Sequence, residues 1–196
     1  MIKAKVTLLL TALLAATLFP SNAHARDLAI WDQLQGTNPK GYVLLIRHAL
    51  APGTGDPENF NINDCSTQRN LSDEGRQDAR EIGSWLKRRD VKIFRVESSR
   101  WCRAKETAQL LDIGTVRPNK NFDSLFLKSD PAYKSQTAAI KKRIFDHRNK
   151  RGLLVLVGHA VNIQSLTGTF VESGEGVLVR ATSQGGVKVM GYSPVP

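Results

Sequence analysis

Cysteine is scarce in this 196-residue chain, which has only Cys65 and Cys102. Their spacing gives no C-x-x-C pair, and two cysteines with four scattered histidines make no zinc-ligand set. Past residue 25 no apolar run approaches the roughly 18–20 residues that a membrane span needs. Internal repeats and low-complexity linkers are missing. So is any long run of Lys and Arg interleaved with aromatics, so nucleic-acid binding is not expected.

The chain begins with the layout of a secretory signal peptide. Lys3 and Lys5 form a basic start, Val6 to Phe19 are apolar, and Ala23-His24-Ala25 offers an A-x-A cleavage site. The apolar stretch is short for a membrane anchor, and no cysteine near the cleavage point marks a lipoprotein. We therefore expect residues 1–25 to be removed and residues 26–196 to form one domain, periplasmic or secreted. That length buries a core without staples. The remaining 26 basic and 18 acidic residues leave a charge of +8, suited to small anionic substrates or an anionic surface. Export also places Cys65 and Cys102 in an oxidising space where a disulfide is allowed; two separate thiols are the alternative.

Patterning predicts alternating strands and helices. Tyr42–Arg47 is an apolar interior strand, followed by a long polar loop from Ala49 to Asn70. Ser72 reads as the N-cap of a helix ending near Asp90, with Asp73 and Glu74 in its first turn and Ala79, Ile82 and Leu86 on its apolar stripe. Further strands are expected at Ile93–Val96, near Gly114–Arg117, at Leu153–Val157, at Gly176–Ala181 and at Val187–Tyr192, the last two joined by a Gly185-Gly186 turn. Helices are expected at Trp101–Leu111, at Tyr133–Arg148 and from about Asn162. This order predicts an α/β fold: a three-layer αβα sandwich around a mainly parallel sheet.

Three of these strands end in chemistry: Arg47-His48, then Ser98-Ser99 leading to Arg103, then Gly158-His159. Parallel strands bring such ends to one edge, where open α/β sheets hold ligands. Arginine forks match phosphate oxygens, and a neutral imidazole is a competent nucleophile. Flanking arginines would keep that imidazole neutral. A second histidine could donate to phosphoryl oxygens in the transition state, and a carboxylic acid would have to protonate the leaving oxygen.

The segments LIRHA (Leu45–Ala49), SSRWCRAKETA (Ser98–Ala108) and VLVGHAVNI (Val155–Ile163) resemble the signature segments of the histidine phosphatase superfamily, with its phosphoglycerate-mutase-like fold. NLSDEGRQDA (Asn70–Ala79) is similar to the start of that family's first helix. The resemblance implies that His48 is a phosphorylated nucleophile, that Arg47 and Arg103 bind phosphate, and that His159 is the second pocket histidine. It implies a metal-independent phosphoric monoester hydrolase with no cofactor, acting on a small phosphorylated substrate. Ala49 stands where the family usually has glycine, a form similar to the small phosphohistidine phosphatases. By position Asp123 corresponds to the family's general acid, with Glu175 as the rival. Arg69 is a further candidate for binding an anionic substrate, or else an ordinary loop charge. Asn162 is a candidate to line the pocket or to cap the helix that follows it, and the cap is expected. Trp85 and Trp101 are expected to pack, with Trp101 near enough to the motif to rim a cleft. Two other outcomes are a non-catalytic anion-binding module and a protein phosphohistidine phosphatase.

Overall fold

β-Branched and leucine side chains fill both faces of the central strands, as a sheet covered on both sides requires. The computed structural model describes residues 29–126 and 128–193, so the expected leader, residues 1–25, lies outside the described residues. The strands are β1 (Tyr42–Arg47), β2 (Ile93–Ser98), β3 (Val116–Pro118), β4 (Leu153–Gly158), β5 (Gly176–Ala181) and β6 (Val187–Ser193). They form one six-stranded sheet in the order β3-β2-β4-β1-β5-β6. The pairs β3–β2, β2–β4 and β4–β1 are parallel, while β1–β5 and β5–β6 are antiparallel.

The helices are α1 (Asp73–Arg88), α2 (Cys102–Leu110), α3 (Asp130–His147) and α4 (Ala160–Thr167). On one face of the sheet Leu44, Ile46, Val155 and Val157 pack against Ile82 and Leu86 of α1 and Ala104 and Ala108 of α2. Their chain neighbours Val43, Leu45, Leu154 and Leu156 point the other way, to Ile140 and Ile144 of α3 and Ile163 of α4. This alternation is the period of two of a strand, and it makes the three layers.

Most elements sit where the pattern predicts. Ser72 caps α1 by accepting the Gly75 N–H at 3.0 Å. Gly185, with φ +80°, turns β5 into β6. Three features differ. Helix α3 starts at Asp130, three residues before the expected Tyr133, because Pro131 in its first turn has the backbone angle a helix start needs. Residues 29–34 are also helical, burying Trp31 against the sheet, in a stretch too short to show a period. Asn162 lies inside α4 and does not cap it: its Oδ1 accepts the Leu125 N–H and its Nδ2 donates to the carbonyls of Phe122 and Asp123. It ties the 122–125 segment to the helix.

Candidate active site

The parallel register decides which side chains meet. Arg47 stands opposite Gly158, and Ser98 opposite Val157. The next residues, His48, Ser99 and His159, therefore leave the same edge of the sheet. The segment after His48 is pinned by a close approach: a Cβ on Gly75 would lie 2.2 Å from the Leu50 carbonyl oxygen, so α1 reaches the loop only through glycine.

His48 is buried, and its Nδ1 lies 2.8 Å from the Ala49 carbonyl oxygen. A carbonyl only accepts, so Nδ1 carries the proton and Nε2 keeps its lone pair. That lone pair faces the Nε–H of Arg103 at 3.2 Å. The His159 ring stands 5.5 Å from the His48 ring, nearly perpendicular to it, and its Nε2 meets the Ser99 hydroxyl at 2.9 Å. Burial lowers the His48 imidazole to about 3, helped by the charges of Arg103, Arg69 and Arg47 and opposed by its bond to Ala49. Burial also lowers His159, followed by His48 and the same arginines. Both rings are thus neutral near pH 7.

These groups floor an open cavity of about 400 Å³. Arg47, Arg69 and Arg103 line it, as do Ala160 and Val161 in the first turn of α4, whose dipole favours an anion there. Arg47 donates to the Val171 carbonyl at 2.9 Å and lies 3.5 Å from Glu172. Arg69 donates to the carbonyls of Gly55 and Ala51. Phe60 stacks on Trp101 at 5.1 Å, and Trp101 meets the edge of the His159 ring at 5.6 Å. Phe126, 48% exposed, stands at the rim. A disulfide between Cys65 and Cys102 ties the 49–70 loop to the first residue of α2, next to Arg103.

No protein-family model and no curated protein matches the chain. Solved structures do match it in shape. The protein histidine phosphatase SixA, complexed with tungstate, superposes with a TM-score of 0.54 at 16% identity, over 76% of this chain and 93% of that one. A variant of the phosphoserine phosphatase of Entamoeba histolytica, with phosphoserine, gives 0.57 at 15% identity over 79% and 97%. The alpha-ribazole phosphatase of Shigella flexneri gives 0.56 at 15% identity over 76% and 94%. The fold is that of the histidine phosphatases.

Within the histidine-phosphatase fold, the sheet edge brings Arg47, His48, Arg103 and His159 together, and the loop adds Arg69. The expected acid is placed differently. Asp123 is 5% exposed, and both its oxygens are taken by Arg100: Oδ1 by the backbone N–H at 3.0 Å, Oδ2 by Nε at 2.8 Å and Nη2 at 2.5 Å. It does not line the cavity; its neighbour Ser124 does. Glu175 is turned to the backbone N–H of Glu172 at 2.6 Å and does not line the cavity either. The lining carboxylate is Asp56, which sequence reasoning passed over. Burial alone would raise its carboxyl, but hydrogen bonds from Arg103 and Trp101 outweigh burial and hold it below its usual range. Its only signal in the sequence is a place in an unusually long polar loop directly after His48.

Among the described residues no cluster of three or more His, Cys, Asp or Glu could hold a metal, and no helix is long and apolar enough to cross a membrane.

Proposed function

We propose that this protein is a phosphatase that hydrolyses phosphomonoesters through a phosphohistidine on His48. The observation that carries this reading is the tautomer. The Ala49 carbonyl holds the proton on Nδ1, so the buried, neutral ring offers Nε2 to the cavity beside an arginine edge. The Nε2 lone pair attacks phosphorus, a P–N bond forms, and the P–O bond to the alcohol breaks with its electron pair on oxygen, which takes a proton from water entering the open cavity. Water then attacks the phosphohistidine, the P–N bond breaks, and inorganic phosphate leaves. Arg47, Arg69 and Arg103 neutralise the phosphoryl charge, and His159 faces the same space. The aromatic walls, Phe60, Trp101 and Phe126, leave room beyond the phosphate for the alcohol part of a small ester.

We place the protein outside the cytoplasm. The leader-like residues 1–25 and the Cys65–Cys102 disulfide both support an oxidising compartment.

A second reading is a binding module that holds phosphate without turnover. The orientation of Asp123 and Glu175 away from the cavity favours it, since neither is set to protonate a leaving oxygen. One experiment separates the two: phosphate release from an aryl phosphate by the processed protein, in chelator, from acidic to neutral pH, beside His48→Ala. Turnover that survives chelator and vanishes in the variant is the expected result. Absent turnover with retained phosphate or vanadate binding would select the binding module. Turnover lost to chelator would overturn the mechanism.

A further inference from the structure

Arg103 is 3% exposed and so needs a partner of opposite charge in place. Asp56 supplies it end-on: Oδ1 accepts from Nη1 at 2.5 Å and Oδ2 from Nη2 at 3.2 Å. The same carboxylate reaches two other segments. Oδ2 accepts the Trp101 indole N–H at 2.9 Å, and Oδ1 takes the Arg69 backbone N–H at 3.4 Å. One side chain therefore gathers the phosphate arginine, the residue that precedes its helix and the loop arginine.

A guanidinium has two two-donor faces: the end, Nη1 with Nη2, and the side, Nε with the second Nη2 hydrogen. Either face fits a phosphoryl group. With Asp56 on the end, only the side is presented, and its Nε–H already points at His48 Nε2. A phosphoryl group transferred to Nε2 would meet that side face.

We infer that Asp56 is a positioning residue for phosphoryl transfer: by gripping the end face of Arg103 it aims the Nε edge at the oxygens of the phosphoryl group bound for His48. The inference rests on the phosphatase reading and makes two rival roles testable. A carboxylate that competed with phosphate for Arg103 would weaken oxyanion binding. A carboxylate acting as the general acid would matter most for poor leaving groups. A positioning residue strengthens oxyanion binding and acts equally on all leaving groups.

The test uses wild type, Asp56→Asn, Arg103→Ala and the double variant. Orthophosphate affinity is measured by calorimetry, and kcat and KM on a series from nitrophenyl to alkyl phosphates. Circular dichroism verifies folding. For Asp56→Asn we expect phosphate affinity to fall about tenfold and kcat/KM about a hundredfold, by the same factor across the series. In the Arg103→Ala background the Asp56 change should cost far less than it does alone, because its main target is gone and only its bonds to Trp101 and the Arg69 backbone remain. Tighter phosphate binding in Asp56→Asn, a loss confined to alkyl esters, or additive losses in the double variant would each overturn the proposal. Wild type that binds phosphate without turning over would sink the phosphatase reading, while the phosphate titrations would still decide what Asp56 does. Wild type that binds no orthophosphate would sink both.

Discussion

The floor and the wall of the cavity are built on different principles. The floor, His48 and His159, leaves the ends of β1 and β4, with the buried Ser99 at the end of β2 behind His159, and backbone ladders between buried strands set its geometry. The wall is the 49–70 loop, which carries Asp56, Phe60 and Arg69 and has no strand or α-helix of its own. Beside the disulfide and the Asp56–Arg103 pair, side-chain-to-backbone bonds hold it: Arg69 to the carbonyls of Ala51 and Gly55, Gln68 to the carbonyls of Asn61 and Ile62, and the Gln68 Oε1 to the Cys102 N–H. Arg47, His48 and His159, three of the residues proposed for phosphoryl transfer, are thus placed at strand ends. The parts that shape and orient are placed on a loop that can vary without disturbing the core.

Acid should separate floor from wall most strongly. Both floor histidines are held neutral in the fold and titrate near 6.5 when unfolded. Below 6.5 the unfolded chain binds protons that the folded one refuses, so stability falls as pH falls. For His48 that loss runs from 6.5 down to about 3. The limiting slope is about 1.4 kcal/mol per pH unit for each such histidine. Denaturant melts at pH 7, 6, 5 and 4 should show this decline, and His48→Ala should make it shallower. A stability that stays flat from pH 7 to 4 would mean the floor is not held neutral.

A smaller effect is expected where wall and floor are joined. Removing the Cys65–Cys102 bond by paired serine substitutions should cost about 2–4 kcal/mol of stability and open the loop to proteolysis between residues 49 and 70. Unchanged cleavage in the serine variant would show that hydrogen bonds alone hold the wall. The smallest effect belongs to the rim. Phe126→Ala should raise KM for aryl phosphates by a few-fold, about 1 kcal/mol of lost ring packing, and leave kcat unchanged. A fall in kcat instead would bring Phe126 into the chemistry.

The same division governs what could be read without coordinates. Strand ends were legible because apolar runs have a period and stop abruptly: β1 runs from Tyr42 to Arg47 as the pattern predicts, and the register then delivers His48 beside His159. Loop carboxylates were not legible. Asp123 occupies the expected place along the chain, yet its direction is decided by Arg100, a partner no local pattern reveals. Asp56 escaped notice for the complementary reason: its meaning depends on Arg103, 47 residues further along the chain. Asn162 shows the same limit, since a polar residue at a helix start reads as a cap until a neighbouring segment is seen to need its amide.

The ring contacts from Phe60 through Trp101 to His159 and His48 also make an optical element. Trp31 and Trp85 pack edge to face with each other in the core cluster, whereas the Trp101 indole meets an imidazole of the pocket. An imidazole that gains charge quenches a neighbouring indole, and an anion lodged on the arginines changes the field across it. Trp101 emission is therefore expected to change when an anion fills the site, against a constant background from Trp31 and Trp85.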